Sequence, residues 1–173
     1  MLMVAAALAV LALVRPVPAY DPEAAFATGT TVFGVQVGGG AANNVEGHRT
    51  VSNISFLTTI TRVSHLFFSP FGSGLLRSAV EPGIEGWFQY YLSPKEATAQ
   101  GLKLAMRYHL IGFGRLVPYL DATAGAGVSY FVTDTVALNA GYRVQHISNG
   151  HTSHPNRGFN SDSGIGGVSF YFK

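Results

Sequence analysis

The residues best suited to chemistry lie near the end of the chain, in the stretch QHISNGHTSHPNRGFNSD, residues 145–162. His146 and Ser148 are two apart, so on a β-strand they project from one face. A serine hydroxyl becomes a useful nucleophile when an adjacent base takes its proton, and imidazole is suited to that role near neutral pH. Asn149 and Gly150 break the strand, and Pro155, Asn156 and Gly158 prolong the loop. A second alternating run starts near Asn160 and continues to Phe172. The unit reads as strand, loop, strand, with a base and a candidate nucleophile at the mouth of a hairpin. Such chemistry usually adds a third group that orients the base, and on the second run Asn160 and Asp162 share one parity. If the hairpin is symmetric about His154, Ser148 falls opposite Asn160 and His146 opposite Asp162.

The strands that carry this pair say what surrounds it. Leu138, Ala140, Tyr142 and Val144 share the face of His146 and Ser148, while Asn139, Gly141, Arg143 and Gln145 form the opposite face. Val168, Phe170 and Phe172 share a face with Asn160 and Asp162. The polar pair therefore ends an apolar face. In a soluble sandwich that face is a core; in a membrane barrel it meets lipid, where a histidine and a serine call for a functional reason.

Other segments favour the barrel. Residues 101–110 place Leu102, Leu104, Met106, Tyr108 and Leu110 in strict alternation with Lys103, Ala105, Arg107 and His109. Apolar side chains on one face and basic ones on the other fit a strand between lipid and a polar interior. Glu85, Lys103, Arg107, Asp121 and Arg143 are then expected to form ion pairs that fill a narrow lumen. Residues 31–39 and 84–92 alternate similarly, 51–64 less cleanly, and 65–82 read as irregular, with Phe67 and Phe68 suited to a bilayer interface. Residues 43–48 and 93–100 read as loops.

Residues 116–132 are apolar at nearly every even position without a change of phase, which reads as one strand of 17 residues. A barrel strand needs only about 9–11. Counting it once gives seven segments, against the even number expected of a bacterial barrel. The expectation is an all-β fold: a small antiparallel transmembrane β-barrel on an eight-strand template, with about one strand missing around residues 116–132. The outer halves of two strands and their loop would be absent, with Gly125 and Gly127 at the junction.

Composition agrees. Charged residues make up 12% of the chain, hydrophobic residues 47%, and 21 of the 173 residues are glycine. Low charge without a long apolar helix beyond the N-terminus suits a β-barrel. Residues 2–14 are apolar and Val17, Pro18 and Ala19 resemble a cleavage site, so residues 1–19 read as a signal peptide and 20–173 as the barrel domain. Cysteine is absent, which removes disulfides and thiolate metal sites. The net charge of +2, or +1 without Arg15, and the lack of a basic cluster argue against nucleic acid. His146, His151 and His154 lack the carboxylate spacing of a zinc site, so neither metal nor cofactor is expected.

His146, Ile147, Ser148 and Asn149, followed by Pro155, Asn156 and Gly158, closely resemble the signature of the PagL-type lipid A 3-O-deacylases. The likeness extends roughly from Val32 to the C-terminus and is densest after Val136. It implies an eight-stranded outer-membrane barrel that hydrolyses an ester-linked acyl chain of lipid A. His146 would be the general base, Ser148 the nucleophile and Asn149 an oxyanion donor. The family's triad ends in a glutamate, and the matching position here is Asn160, a departure that leaves Asp162 as the nearby carboxylate. The implied partners are lipid A or lipopolysaccharide and outer-membrane lipid, with a homodimer left open. Arg49 and Arg157 are candidate phosphate contacts. The competing expectation is a structural or degenerate barrel that keeps the motif without the activity.

Overall fold

The computed structural model describes residues 20–43, 53–147 and 159–173; residues 1–19, the expected signal peptide, lie outside them. A short helix, α1 (Pro22–Ala25), precedes eight strands. These are β1 (Thr31–Asn43), β2 (Ser55–His65), β3 (Ser78–Ser93), β4 (Ala97–Leu110), β5 (Leu116–Asp121), β6 (Gly125–Thr133), β7 (Val136–Ile147) and β8 (Phe159–Phe172). Each pairs antiparallel with its neighbour in sequence, and β1 also pairs along its whole length with β8, so the sheet closes on itself. Closure removes the sheet edges that would otherwise carry unpaired backbone groups.

The ring is apolar outside and polar inside. Along β2, Phe56, Thr58, Ile60, Arg62 and Ser64 are buried, while Leu57, Thr59, Thr61 and Val63 between them are exposed. On β4, Leu102 and Leu104 are 81% and 83% exposed, whereas Ala105, Arg107 and His109 are buried. A water-soluble fold would reverse this; a bilayer demands it. Phe33, Val37, Ile84, Leu120, Leu138 and Tyr142 continue the outer belt.

An ionic cluster fills the middle of the lumen. Arg62 bridges Glu85 at 3.1 Å and Asp121 at 2.8 Å, Arg143 holds both of these carboxylates, and Lys103 reaches Glu85 at 3.0 Å. Arg107 reaches Asp121 at 3.4 Å and lies over the Tyr119 ring, 4.2 Å from its centroid. The five charges expected from sequence are all present, joined by Arg62, Glu81 and His109. At the end where the termini lie, α1 carries Phe26 into the barrel against His109, Phe131 and Tyr171. Asp21 caps this helix by accepting from the Glu23 N–H, and Ala25, Leu66, Ile111 and Val117 complete the apolar plug.

Three expectations are corrected. The barrel has eight strands rather than seven segments, because residues 116–132 fold as the short pair β5 and β6 around a turn at Ala122, Thr123 and Ala124. A three-residue turn keeps odd positions inside on both strands, Asp121 facing Gly125, so the even-numbered apolar pattern runs through it unbroken. No strand is missing; two are short, as the absent outer halves lead one to expect. Gly125 and Gly127 are consequently not the junction. Gly125 already pairs on β6, and Gly127 makes room for the Tyr119 hydroxyl, which an added Cβ would strike. Finally, β3 starts at Ser78 and β4 at Ala97, so the segments read as irregular or as loop are partly strand.

The β5–β6 turn places Ala124 at φ 61°, with Asp121 accepting from the Thr123 N–H and hydroxyl. Three-residue hairpins use a left-handed residue here, and glycine adopts that conformation without the Cβ penalty of roughly 1–2 kcal/mol. Ala124→Gly is expected to stabilise the barrel by about 1 kcal/mol. Urea titration of its heat-modifiable gel band in detergent should show a higher midpoint.

Candidate functional site at the outer rim

The ladders fix which residues meet. β7 runs outward with Leu138, Ala140, Tyr142, Val144 and His146 exposed on the lipid face and Asn139 and Arg143 buried in the lumen. On β8, Ile165, Ser169 and Tyr171 turn inward, which sends Asn160 and Asp162 to the same outer face as His146. The alternation read from sequence is thus the one the strands adopt.

The register differs from the symmetric hairpin expected. His146 lies opposite Asn160, and Val144 lies opposite Asp162. The hairpin is centred on Ser153 rather than His154, and that single-residue difference moves every cross-strand partner by two. His146 and Asn160 form a hydrogen bond, Nδ1 to Oδ1, at 2.7 Å. An amide oxygen can only accept, so Nδ1 donates in this bond, and in a neutral imidazole the lone pair then sits on Nε2. That tautomer is the one a general base requires. Asp162 instead lies across from Val144, two ladder positions nearer the membrane centre than the His146–Asn160 pair.

On the other side of β8, Asn43 pairs with Asn160 and Ala41 with Asp162. Ser148 and Asn149 lie outside the described residues, as do Arg49, His151, His154 and Arg157. The structure therefore brings His146 and Asn160 together, parts Asp162 from His146, and leaves the nucleophile and oxyanion expectations to be tested chemically. Among the described residues there is no cluster of three or more metal-ligating side chains.

The outer halves expected to be absent from two strands leave a gap beside the pair. Because β5 and β6 stop early, β7 beyond Val144 has no neighbour on the β6 side among the described residues. A cavity of about 440 Å³ opens there, lined by Trp87, Lys103, Thr123, Ala124, Val144, Gln145 and His146. The signal was available in the short span from Leu116 to Thr133, which cannot hold two strands of full length.

A closed ring of eight antiparallel strands, lipid-facing outside and ionic within, with an imidazole–amide pair at its rim, is a small membrane β-barrel. Residues 19–168 match the family described as lipid A 3-O-deacylase (PagL), and the chain belongs to that family, whose activity is ester hydrolysis on lipid A. No curated protein sequence matches the chain significantly. Among solved structures it is similar to Neisserial surface protein A (NspA), at 12% identity and a TM-score of 0.34, over 84% of this chain and 98% of that one. A likeness that distant adds nothing to the closure read from the strand ladders.

Proposed function

We propose that this protein is an outer-membrane esterase that removes the 3-O-linked acyl chain from lipid A by a serine–histidine mechanism. The observation that carries the reading is the 2.7 Å bond from His146 Nδ1 to Asn160 Oδ1, which leaves Nε2 basic on the lipid-facing side of the rim. Nε2 takes the Ser148 hydroxyl proton as Oγ attacks the ester carbonyl, and Asn149 donates to the developing oxyanion. Collapse breaks the ester C–O bond, and the imidazolium returns the proton to the departing sugar oxygen. Water then attacks the acyl-serine, with His146 again the base, and releases a free hydroxy fatty acid. The acyl chain lies along the outer strip that includes Tyr142 and Val144.

Asn160 supports a second reading. A neutral amide orients imidazole but does not stabilise imidazolium as a carboxylate does. A family member that keeps the barrel and has lost turnover fits that substitution.

One experiment separates the two. Folded protein is mixed with lipopolysaccharide in detergent, and lipid A is followed by mass spectrometry for loss of one hydroxyacyl chain. Release is expected from the natural sequence. Asn160→Asp, which keeps the geometry and adds charge, is expected to raise kcat by about tenfold, the difference between a neutral and a charge-assisted hydrogen bond. Asn160→Leu should lower it, and Asp162→Ala should change it little because Asp162 lies opposite Val144 rather than His146. Lipid A left intact by folded natural protein, with release appearing only in Asn160→Asp, would establish the inactive reading.

A further inference from the structure

The lateral notch beside His146 has a chemistry of its own. The last ladder bonds beneath it run from the Ala122 N–H to the Met106 carbonyl and from the Val144 N–H to the Ala124 carbonyl, each 2.9 Å. Above them, β4 continues for nine more residues from Ala105 to Ala97, and β7 continues through Gln145 to Ile147. Neither of these extensions has a strand partner on the notch side among the described residues. The wall is therefore open between two tall strands, and inward-facing side chains of β3 and β4 meet His146 around one cavity.

Among the described residues, the charge behind the opening is unbalanced. Arg62, Lys103, Arg107 and Arg143 face Glu81, Glu85 and Asp121, four cations to three carboxylates. The arginines and carboxylates are almost completely buried, whereas the Lys103 side chain is 27% exposed. Glu85, the carboxylate that Lys103 touches, already binds Arg62 and Arg143. An ammonium has three donors, and one of them is spent on Glu85. The surplus cation of the lumen thus stands at the opening, in the cavity that His146 also lines. Outside, Leu102, Leu104 and Val144 give a lipid an apolar approach to it.

We propose that this notch is a subsite for a phosphate group on the headgroup of the lipid substrate, held by Lys103. The proposal rests on the lipid A reading for the identity of that headgroup. Lipid A is a phosphorylated glucosamine disaccharide, so an ester presented to His146 arrives with an anion nearby. Lys103 would act as a specificity-determining residue: it holds the phosphate while the reacting ester stays at the rim. The short β5–β6 hairpin is then what makes the lumen's positive charge reachable from the outer leaflet.

Trp87, the single tryptophan of the chain, lines the cavity, so its fluorescence reads occupancy without turnover. The probes are bisphosphorylated lipid A and lipid A with its phosphates removed, titrated into His146→Ala protein in detergent. We expect saturable change in Trp87 emission, with the phosphorylated form bound about tenfold more tightly, the usual effect of one charge-assisted hydrogen bond. Lys103→Gln should erase that preference and Lys103→Arg should retain it. In the active protein, Lys103→Gln should raise KM on the phosphorylated substrate far more than it lowers kcat. Equal binding of the two probes by protein with Lys103 intact would overturn the proposal, even if no lysine variant folded. Equal weakening of both probes in Lys103→Gln would assign the lysine to supporting Glu85 and overturn it too. Phosphatidylglycerol competing as well as lipid A would place an ordinary phospholipid there, and the substrate subsite would again be overturned. Because binding is read in a variant unable to turn over, failure of the deacylase reading appears separately, as intact lipid A in the natural protein.

Discussion

Ser148→Ala and His146→Ala are each expected to reduce acyl release from lipopolysaccharide to background, a loss on the order of 10³-fold or more. The two residues act as a unit: an alcohol without a base is a poor nucleophile, and a base without the alcohol has no proton to take. The double variant should therefore be no worse than either single one, and multiplicative losses would show that the residues serve different steps. His146 is exposed on the lipid face at the end of β7, where its only described side-chain partner is Asn160, so its removal leaves the ladders intact. Heat-modifiable mobility of both variants should match that of the natural protein. Release that survives Ser148→Ala in folded protein would mean that another hydroxyl, or water activated by His146, attacks the ester.

The two faces of the barrel were legible because alternation in a membrane strand is enforced from both sides. Leu102 and Leu104 meet lipid and Arg107 and His109 meet the lumen, so neither set can change parity. Arg62 and Glu81 were harder to see, for local reasons. Arg62 follows Phe56 and Ile60 on the inner face of β2, where apolar residues fill the upper lumen and blur the contrast. Glu81 precedes Pro82 and Gly83, which read as turn residues although they lie within β3. The short β5–β6 hairpin was hidden by arithmetic, since a three-residue turn conserves parity.

The β7–β8 hairpin shows the opposite limit. Residue types and faces followed from period two, but partner identity depends on register, which a loop of polar residues leaves open. Shifting the centre from His154 to Ser153 exchanges Asp162 for Asn160 beside the imidazole. The observed hydrogen bond then falls on Asn160, the position that the resemblance matched to the family's glutamate, while the carboxylate two residues on lies opposite Val144.

Glu85→Ala is expected to be the most destabilising single substitution in the barrel, by about 3–5 kcal/mol, the usual consequence of breaking a buried ion pair from one side. Glu85 is fully buried and binds Arg62, Arg143 and Lys103 together, so its loss leaves four cations facing two carboxylates in the lumen. The variant should lose the heat-modifiable band at a urea concentration that leaves the natural protein folded. Removing both partners is a different perturbation, because the desolvated charge goes with its counter-charge. Glu85→Met combined with Arg143→Met returns the cluster to three cations and two carboxylates and fills the vacated volume with apolar atoms. That double variant should recover more than half of the stability lost by Glu85→Met alone. As an exposed control, Glu23→Ala breaks the 2.7 Å contact with Arg77 beside α1. The Arg77 guanidinium holds the Glu23 carboxyl below its usual range, yet water screens this pair, so the unfolding midpoint should hardly move. If the double variant proves no more stable than Glu85→Met, the lumen requires the carboxylate itself rather than charge balance, and the four-to-three count would cease to explain how the barrel is filled.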